Sequence, residues 1–171
     1  MSGPVRRRPQ SRRRSVEFGK EMGGMFQKII VPVDGSESSW RALEQGLVLA
    51  DKFGGEVVVL TVIQPYNNAA LLAAPLDHNI ISQSNNDLRQ VGEEVLHRAE
   101  ERVKAGSHTA KVSYEMEVGH PSERILAAAK EAAADAIVLG SRGLSGIAEF
   151  FLGSVSSKIA QYATIPVLIV K

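Results

Sequence analysis

Residues 28–36 read Lys-Ile-Ile-Val-Pro-Val-Asp-Gly-Ser, a nearly continuous apolar run that ends in a polar turn. Such a run is typical of a strand that is buried on both faces of a sheet. Apolar side chains then recur at helical spacing before Gly54-Gly55 stops the pattern, at Trp40, Leu43, Leu47 and Ala50. The stretch therefore predicts a buried strand, a turn and a helix.

The same alternation of strand and helix patterns continues to the end of the chain. Further strands are predicted at residues 56–63, 112–118, 135–139 and 166–170, and further helices at 83–105, 122–134 and 154–162. Residues 64–82 show no sustained period and are predicted to form a long loop, with a short helical piece around 69–74. Five strands that alternate with four helices predict a doubly wound α/β domain, with a five-stranded, mostly parallel sheet and helices on both faces.

Two of these elements carry finer predictions. The helix over 83–105 is expected to bury one apolar stripe, at Leu88, Val91, Val95, Ala99 and Val103. Its solvent face carries charged pairs four residues apart, Glu94 with Arg98 and Glu100 with Lys104. Apolar and polar residues alternate strictly over 112–118, which predicts a strand with one wet face near an edge of the sheet.

Composition limits the possible functions. The chain has 171 residues, of which 44% are hydrophobic and 23% charged, as expected of one compact domain. No run approaches the roughly 18 apolar residues of a membrane-spanning helix. The absence of cysteine excludes disulfides, thiolate metal sites and a cysteine nucleophile, and it suits a reducing compartment. The four histidines lack the spacing of metal ligands, so no protein metal site is predicted.

Charge is distributed unevenly. Residues 1–24 carry seven Lys or Arg and two acids, whereas residues 25–171 have a net charge of −4. We interpret the first segment as a basic, disordered tail, or as sequence upstream of a start at Met22 or Met25, and the second as the domain. A polyanion-binding tail remains an alternative, but the arginines lack interleaved aromatic residues, which does not favour nucleic acid. Neither arginine triplet is followed by the apolar stretch of an export signal, so a cytoplasmic location is predicted.

Residues 140–157 are rich in glycine and serine and directly follow the predicted fourth strand. Gly140, Gly143 and Gly146 permit positive φ and close approach of a ligand, so successive N–H groups can surround an anion. Gly153 and Ser154 then open a helix whose unpaired N–H groups form a second anion site, to which Ser156 can add its hydroxyl. A polyphosphate chain would occupy both sites, and a β-branched residue at Gly140 or Gly143 is expected to abolish its retention while the fold survives.

Simpler interpretations of the same residues remain open. The glycines can form an ordinary turn, and Ser154 can serve only as a helix cap. Neither the P-loop nor the dinucleotide fingerprint is present. In doubly wound sheets ligands bind at the carboxyl ends of strands where the strand order reverses, so the strands that end at Asp34 and Gly140 are expected to flank the crevice. Asp34 there is either an acceptor for adenine or ribose donors or a turn residue.

The sequence resembles the universal stress protein family, in its ATP-binding branch. The signature of that branch, Gly-x2-Gly-x9-Gly-Ser/Thr, is matched by Gly140, Gly143, Gly153 and Ser154. The resemblance runs from about residue 28 to 171 and implies the Rossmann-like fold of the adenine nucleotide alpha hydrolases. It also implies that ATP is the ligand, that Mg²⁺ arrives with it, and that the family's antiparallel pairing of the last strand, here Val167–Val170, forms a homodimer.

The resemblance assigns roles to thirteen residues. The adenine and ribose pocket would be lined by Pro32, Val33, Asp34 and Val62. Ribose and phosphates would be held by the loop containing Gly140, Ser141, Arg142, Gly143 and Gly146. The outer phosphates would be held by Gly153, Ser154, Val155 and Ser156. Phosphates and waters would hold the Mg²⁺, with one oxygen from Asp34 or a serine.

Together these expectations predict a cytoplasmic ATP-binding stress-response protein in which the nucleotide regulates a dimer. A slow Mg²⁺-dependent ATPase is the alternative from another class, and whether the protein is an enzyme stays open. Hydrolysis requires a residue that orients water and cations that stabilise the transferring oxygens. Arg142 and Asp34 are the only candidates for those roles. A third alternative, nucleic-acid binding through residues 6–14, depends on the arginines alone.

Overall fold

Strands and helices alternate through the residues that the computed structural model describes, 25–65, 78–144 and 152–171. The strands are β1 (Lys28–Pro32), β2 (Glu56–Ile63), β3 (Lys111–Val118), β4 (Ala136–Gly140) and β5 (Val167–Val170). The helices are α1 (Glu37–Phe53), α2 (His78–Ala105), α3 (Pro121–Glu131) and α4 (Ser154–Tyr162). The basic segment 1–24, the helical piece predicted around 69–74 and Gly146 lie outside the described residues.

The strands form one parallel sheet in the order β3-β2-β1-β4-β5. The chain builds outward from β1 through β2 to β3, and then crosses to the other side of β1 to form β4 and β5. Strand order therefore reverses between β1 and β4, whose carboxyl ends flank a crevice. The predicted doubly wound sheet, its switch point and the edge position of β3 are confirmed.

Helices cover both faces because successive residues of the central strands point to opposite sides. On one face Ile29 and Val31 pack in a cluster with Trp40 and Leu43 of α1 and Val95 of α2. On the other face the core is made with α3 and α4, and its fully buried members include Ile30, Leu60, Ile137 and Ile159. The buried position predicted for Trp40 is confirmed, since 2% of its surface is exposed.

Helix α2 departs from its predicted course at two points. It begins at His78, so the predicted loop over 64–82 is too long. The reason is that no glycine or proline lies between Pro75 and residue 83, so nothing in that stretch stops the helix from starting before its apolar period. Val91 is 59% exposed, and Gly92 is buried in its place. A Cβ at Gly92 would lie 2.7 Å from Met116 Sδ, so the glycine lets α2 approach the sheet closely.

The charged face of α2 is also only partly as predicted. Lys104 and Glu100 form the expected ion pair, with Nζ and Oε1 2.7 Å apart. Arg98 lies over the ring of Trp40 instead of serving mainly as a partner for Glu94. Its Cζ is 5.7 Å from the ring centroid, and Arg102 Cζ is 4.9 Å from it. Two cations thus cover the tryptophan, an arrangement that stabilises the contact between α1 and α2.

The far end of α1 is fixed by the carboxylate of Asp51. It accepts hydrogen bonds from His108 Nδ1 (2.9 Å), from the Thr109 N–H and hydroxyl (2.8 and 2.9 Å) and from the Ala110 N–H (2.7 Å). The hydrogen bond with His108 is the largest cause that lowers the pKa of Asp51 to about 2, followed by the bond from the Thr109 N–H. Helix α1 is therefore tied to the turn that leads into β3.

The end of α3 has a local cause. Helix α3 ends at Glu131, three residues before its predicted end, because Ala133 adopts a positive φ of 51°. The Ala134 N–H then bonds to the Ala129 carbonyl and closes the helix.

In the ranges that the structure covers, none of the helices has the length and apolarity required to cross a bilayer.

Candidate functional site

A cavity of about 330 Å³ lies at the carboxyl ends of β1 and β4. One part of its wall is apolar and is formed by Pro32, Val33, Leu60, Val62, Ile125 and Leu139. The other part consists of glycines, serines and two charged residues, namely Asp34, Gly140, Arg142, Gly143, Gly153, Ser154 and Ser156. The cavity therefore offers an apolar recess and a polar recess side by side.

Most of the residues predicted from the sequence meet at this cavity. Of those that the structure describes, only Ser141 does not line it; this residue is buried, and its N–H bonds to the Val170 carbonyl. Sequence reasoning missed several wall residues, Ser39, Leu60, Pro121, Ile125, Leu139 and Leu144. Leu60 and Leu139 could have been found, because each lies near the carboxyl end of a strand and belongs to the face that α3 and α4 cover. Helix α3 places Pro121 and Ile125 in the wall of the cavity. No sequence pattern around either residue predicts a binding site.

The turn after β1 is organised by Asp34. Its Oδ1 accepts hydrogen bonds from the Ser36 N–H (3.0 Å) and the Ser36 hydroxyl (2.6 Å), and Ser36 is the N-cap of α1. Its Oδ2 accepts from the Leu144 N–H at 3.2 Å. Asp34 is thus a turn residue that also joins the β1–α1 turn to the loop after β4. Its role toward a ligand stays a prediction.

At Gly140, the last residue of β4, and at Gly143 in the following loop, the predicted positive φ is wrong, whereas the predicted close approach of a ligand stays a prediction. Neither Gly140 nor Gly143 adopts a positive φ. A Cβ at Gly140 would lie 2.7 Å from the Ser38 carbonyl carbon and 2.8 Å from the Ser39 nitrogen, and one at Gly143 would lie 2.6 Å from Asp34 Oδ2. These glycines allow the two loops to touch each other, so the expectation of an intact fold with a β-branched residue at Gly140 conflicts with this backbone contact.

Helix α4 begins at the cavity. Gly153 is its N-cap, and the first N–H that bonds to a carbonyl of this helix belongs to Ser157, at 2.9 Å from the Gly153 oxygen. The N–H groups of Ser154, Val155 and Ser156 precede that bond and have no carbonyl within the helix. They carry the positive end of the helix dipole, which favours anions.

The serine hydroxyls of α4 differ in their roles. Ser156 is buried, and its hydroxyl donates to the Ser141 carbonyl at 2.8 Å, so it fixes the preceding loop in this structure. Ser154 is exposed at the mouth of the cavity. The hydroxyl and the N–H of Ser154 are therefore both positioned to reach an incoming anion.

This donor set fits a phosphorylated ligand with an apolar base. Helix N–H groups and a glycine loop suit phosphate oxygens, and the apolar recess suits a flat ring. Among the described wall residues, Asp34 is the only one with a carboxylate. A magnesium ion here would therefore be held mainly by phosphates and water, as is usual for this ion.

The model of the universal stress protein family matches residues 25–171. The chain belongs to the universal stress protein family. It is 35% identical over 152 residues to universal stress protein YxiE of Bacillus subtilis, which covers 86% of this chain and all of that protein. The family resemblance predicted from the glycine signature is confirmed.

Two solved structures of family members contain nucleotides. One is a universal stress protein in complex with cAMP, with 27% identity, a TM-score of 0.63, and coverage of 85% of this chain and 97% of the other. The second is a universal stress protein from Archaeoglobus fulgidus in complex with dAMP, with 25% identity, a TM-score of 0.59, and coverage of 85% and 98%. Both confirm the Rossmann-like α/β fold, and some members of the family bind nucleotides.

Proposed function

We propose that this universal stress protein binds ATP together with Mg²⁺ in the cavity between β1 and β4. The observation that carries the proposal is that one cavity joins an apolar recess to the open N-terminus of α4. Adenine is apolar on its faces, and the phosphates are anionic, so each part of the ligand has a matching part of the wall. The cAMP and dAMP complexes of related proteins support the adenine nucleotide class.

In this proposal adenine lies against Pro32, Val33 and Val62, and the ribose lies near Asp34. The loop of Gly140, Arg142 and Gly143 holds ribose and phosphates, in part through its backbone. The outer phosphates are held by the start of α4, at Gly153, Ser154, Val155 and Ser156. The bound Mg²⁺ neutralises phosphate charge, and an oxygen of Asp34 or of a serine is its protein contact.

We favour binding over efficient turnover. Of the wall residues that the structure describes, only Asp34 has a carboxylate that could orient a water molecule, and its two oxygens already accept hydrogen bonds from Ser36 and Leu144. These bonds hold the carboxylate in the turn, and the lone pair left on Oδ2 is the one that the ribose or the Mg²⁺ would use, so no described wall carboxylate is left to orient water. Occupancy by ATP is thus proposed to act on the shape and partner affinity of the protein, as expected of a regulatory stress-response protein.

The proposal is tested on the purified full chain. Calorimetric titration with ATP in the presence of Mg²⁺ should show one site per chain, and mass analysis of the protein as isolated should detect a retained adenine nucleotide. Conversion of ATP to ADP in the same samples should remain below about one per second, the low end of typical enzymes. Absence of binding at millimolar ATP contradicts the function, and faster conversion makes the protein an ATPase.

Residues 25–171 are proposed to contain the whole nucleotide-binding domain, so the basic segment 1–24 has no part in ATP binding. The family model begins at residue 25 as well. A chain without cysteine suits the reducing cytoplasm, where we propose that the protein acts.

The edge strand β5 is proposed to pair with its copy in a homodimer. The Pro166 carbonyl accepts from the Ile137 N–H in β4 at 3.0 Å, and the Val170 carbonyl accepts from the Ser141 N–H just after β4 at 2.7 Å. Since backbone groups alternate in direction along a strand, those of Val167 and Ile169 face away from β4. Leu168 is 42% exposed beside them. An unpaired apolar edge of this kind is a template for a second strand.

Replacing Val167 by proline should weaken this dimer about tenfold to a hundredfold. Proline removes one outward N–H but is tolerated at the first residue of an edge strand. Twofold symmetry removes the bond twice, at about 0.5–1.5 kcal/mol each. Sedimentation equilibrium measures the dissociation constant, with Val167→Ala as the control that keeps the N–H. A monomeric wild-type chain, or equal association of both variants, contradicts the proposed pairing.

A further inference from the structure

Three successive backbone groups of the loop after β4 are each held by a different part of the protein. The Ser141 carbonyl accepts from the Gly153 N–H and from the Ser156 hydroxyl, both at 2.8 Å. The Arg142 carbonyl accepts a short hydrogen bond from the Ser38 hydroxyl. The Leu144 N–H donates to Asp34 at 3.2 Å. The path of the loop is therefore fixed from outside, peptide by peptide.

Fixing a carbonyl also fixes the next N–H. The peptide group is planar and trans, so the C=O of one residue and the N–H of the next point in opposite directions. The Arg142 carbonyl points toward the Ser38 hydroxyl in the first turn of α1, and the Gly143 N–H therefore points away from that hydroxyl. Gly143 lines the cavity, whereas Ser38 does not.

We infer that Ser38 is a positioning residue, which aims the Gly143 N–H at the phosphates by holding the Arg142 carbonyl. The inference rests on the proposed binding of ATP and names a residue outside the set that would touch the nucleotide. Ser38 is 8% exposed, so water cannot readily replace its hydroxyl as the donor. Among the described residues, a second donor near the Arg142 carbonyl is the Ser36 hydroxyl, at 3.4 Å, and it already donates to Asp34 Oδ1 at 2.6 Å. Without Ser38 the Arg142–Gly143 peptide therefore loses the short bond that sets its orientation.

A matched control is available in α3. Ser38 and Ser122 are each the second residue of their helix, after N-caps at Ser36 and His120. Ser122 is 2% exposed, and its hydroxyl lies 3.0 Å from His120 Nδ1. It is not among the described wall residues of the cavity, and no hydrogen bond joins its hydroxyl to the described loop residues 141–144. Replacing either serine by alanine removes the same buried hydroxyl at the same helix position.

The variants Ser38→Ala and Ser122→Ala are titrated with ATP and, separately, with adenosine. Ser38→Ala should lose about tenfold in ATP affinity, the effect of one misaligned hydrogen bond to a charged group, and keep its affinity for adenosine within about twofold. Ser122→Ala should change neither affinity. Unchanged ATP binding by Ser38→Ala, or an equal loss for both ligands, overturns the inference, because only a positioning role toward phosphates separates the two.

A second measurement needs no ligand. A hydrogen bond to a carbonyl polarises its peptide group, so its loss changes the ¹⁵N chemical shift of the next amide. The Gly143 amide resonance should move in Ser38→Ala and stay in place in Ser122→Ala. An unmoved resonance overturns the inference whatever the ligand does. If the wild-type chain binds no ATP but the Gly143 resonance still moves in Ser38→Ala, the proposed function is contradicted. The inferred geometry of the loop is then still supported.

Discussion

Replacing Ser154 by aspartate should lower the affinity for ATP by about a hundredfold or more without loss of the fold. Ser154 is exposed and is the first residue of α4. A carboxylate at a helix N-terminus is stabilising by about 0.3–1 kcal/mol, so thermal unfolding should not occur earlier. The same carboxylate would occupy the proposed phosphate position and repel it. A unit charge pair at about 4 Å interacts with about 4 kcal/mol near a protein surface, and a hundredfold loss needs only part of that.

The control for this variant is Gln161→Glu. Gln161 is exposed on the same helix, about two turns further along, and the substitution adds the same charge. Calorimetry should show ATP affinity within about twofold of the wild type, because the charge is distant and screened. Equal losses in the two variants would assign the effect to net charge. Undiminished binding by Ser154→Asp would show that the phosphates do not bind at this end of α4.

Gly140→Ala should destabilise the fold by about 2–4 kcal/mol, more than the usual range for overpacking, because the new methyl group would press on backbone atoms. Those atoms are the Ser38 carbonyl carbon and the Ser39 nitrogen, at 2.7 and 2.8 Å from the added Cβ. They belong to the first turn of α1, which Trp40 anchors in the core. Neither the end of β4 nor the first turn of α1 can make room for the methyl group unless helix α1 moves. Thermal unfolding should begin roughly 5–15 °C lower for a chain of this size.

Gly153→Ala is the matched substitution at a glycine of the same signature. The nearest atoms to its added Cβ lie at 3.3–3.6 Å, and its φ of −64° suits alanine. The cost should stay below about 1 kcal/mol, mainly from a poorer N-cap. Equal destabilisation by the two variants would show that the contact between Gly140 and α1 is not a tight one. The two variants together distinguish a glycine that close packing requires, Gly140, from a glycine that only begins α4, Gly153.

The sequence was sufficient for the architecture because its signals are local and repeated. The apolar run at residues 28–33, the strict alternation over 112–118 and the helical periods are each contained in one element. Their order leaves few topologies for a parallel sheet. The start of α2 was missed because residues 78–82 have no apolar period, although they are helical. Local pattern is a weaker guide there than the absence of a helix breaker.

The site could be located from the sequence but not described. Glycine spacing and strand ends brought the correct loops together, but wall residues such as Ser39, Pro121 and Ile125 do not follow from them. The contact of Ser38 with Arg142 and the stacking of Arg98 on Trp40 join residues that are far apart along the chain. No single element contains such a signal. For the same reason, the requirement for glycine at 140 was attributed to positive φ and ligand approach, and the close approach of α1 was missed.

The start of α4 presents main-chain donors, and this has a bearing on mutation. Every amino acid except proline carries the same N–H, so most replacements at residues 154–156 leave the number of donors unchanged. Side chains there can diverge across a lineage while the capacity to hold an anion is inherited. Substitutions in the apolar wall alone can then change which ligand the cavity prefers.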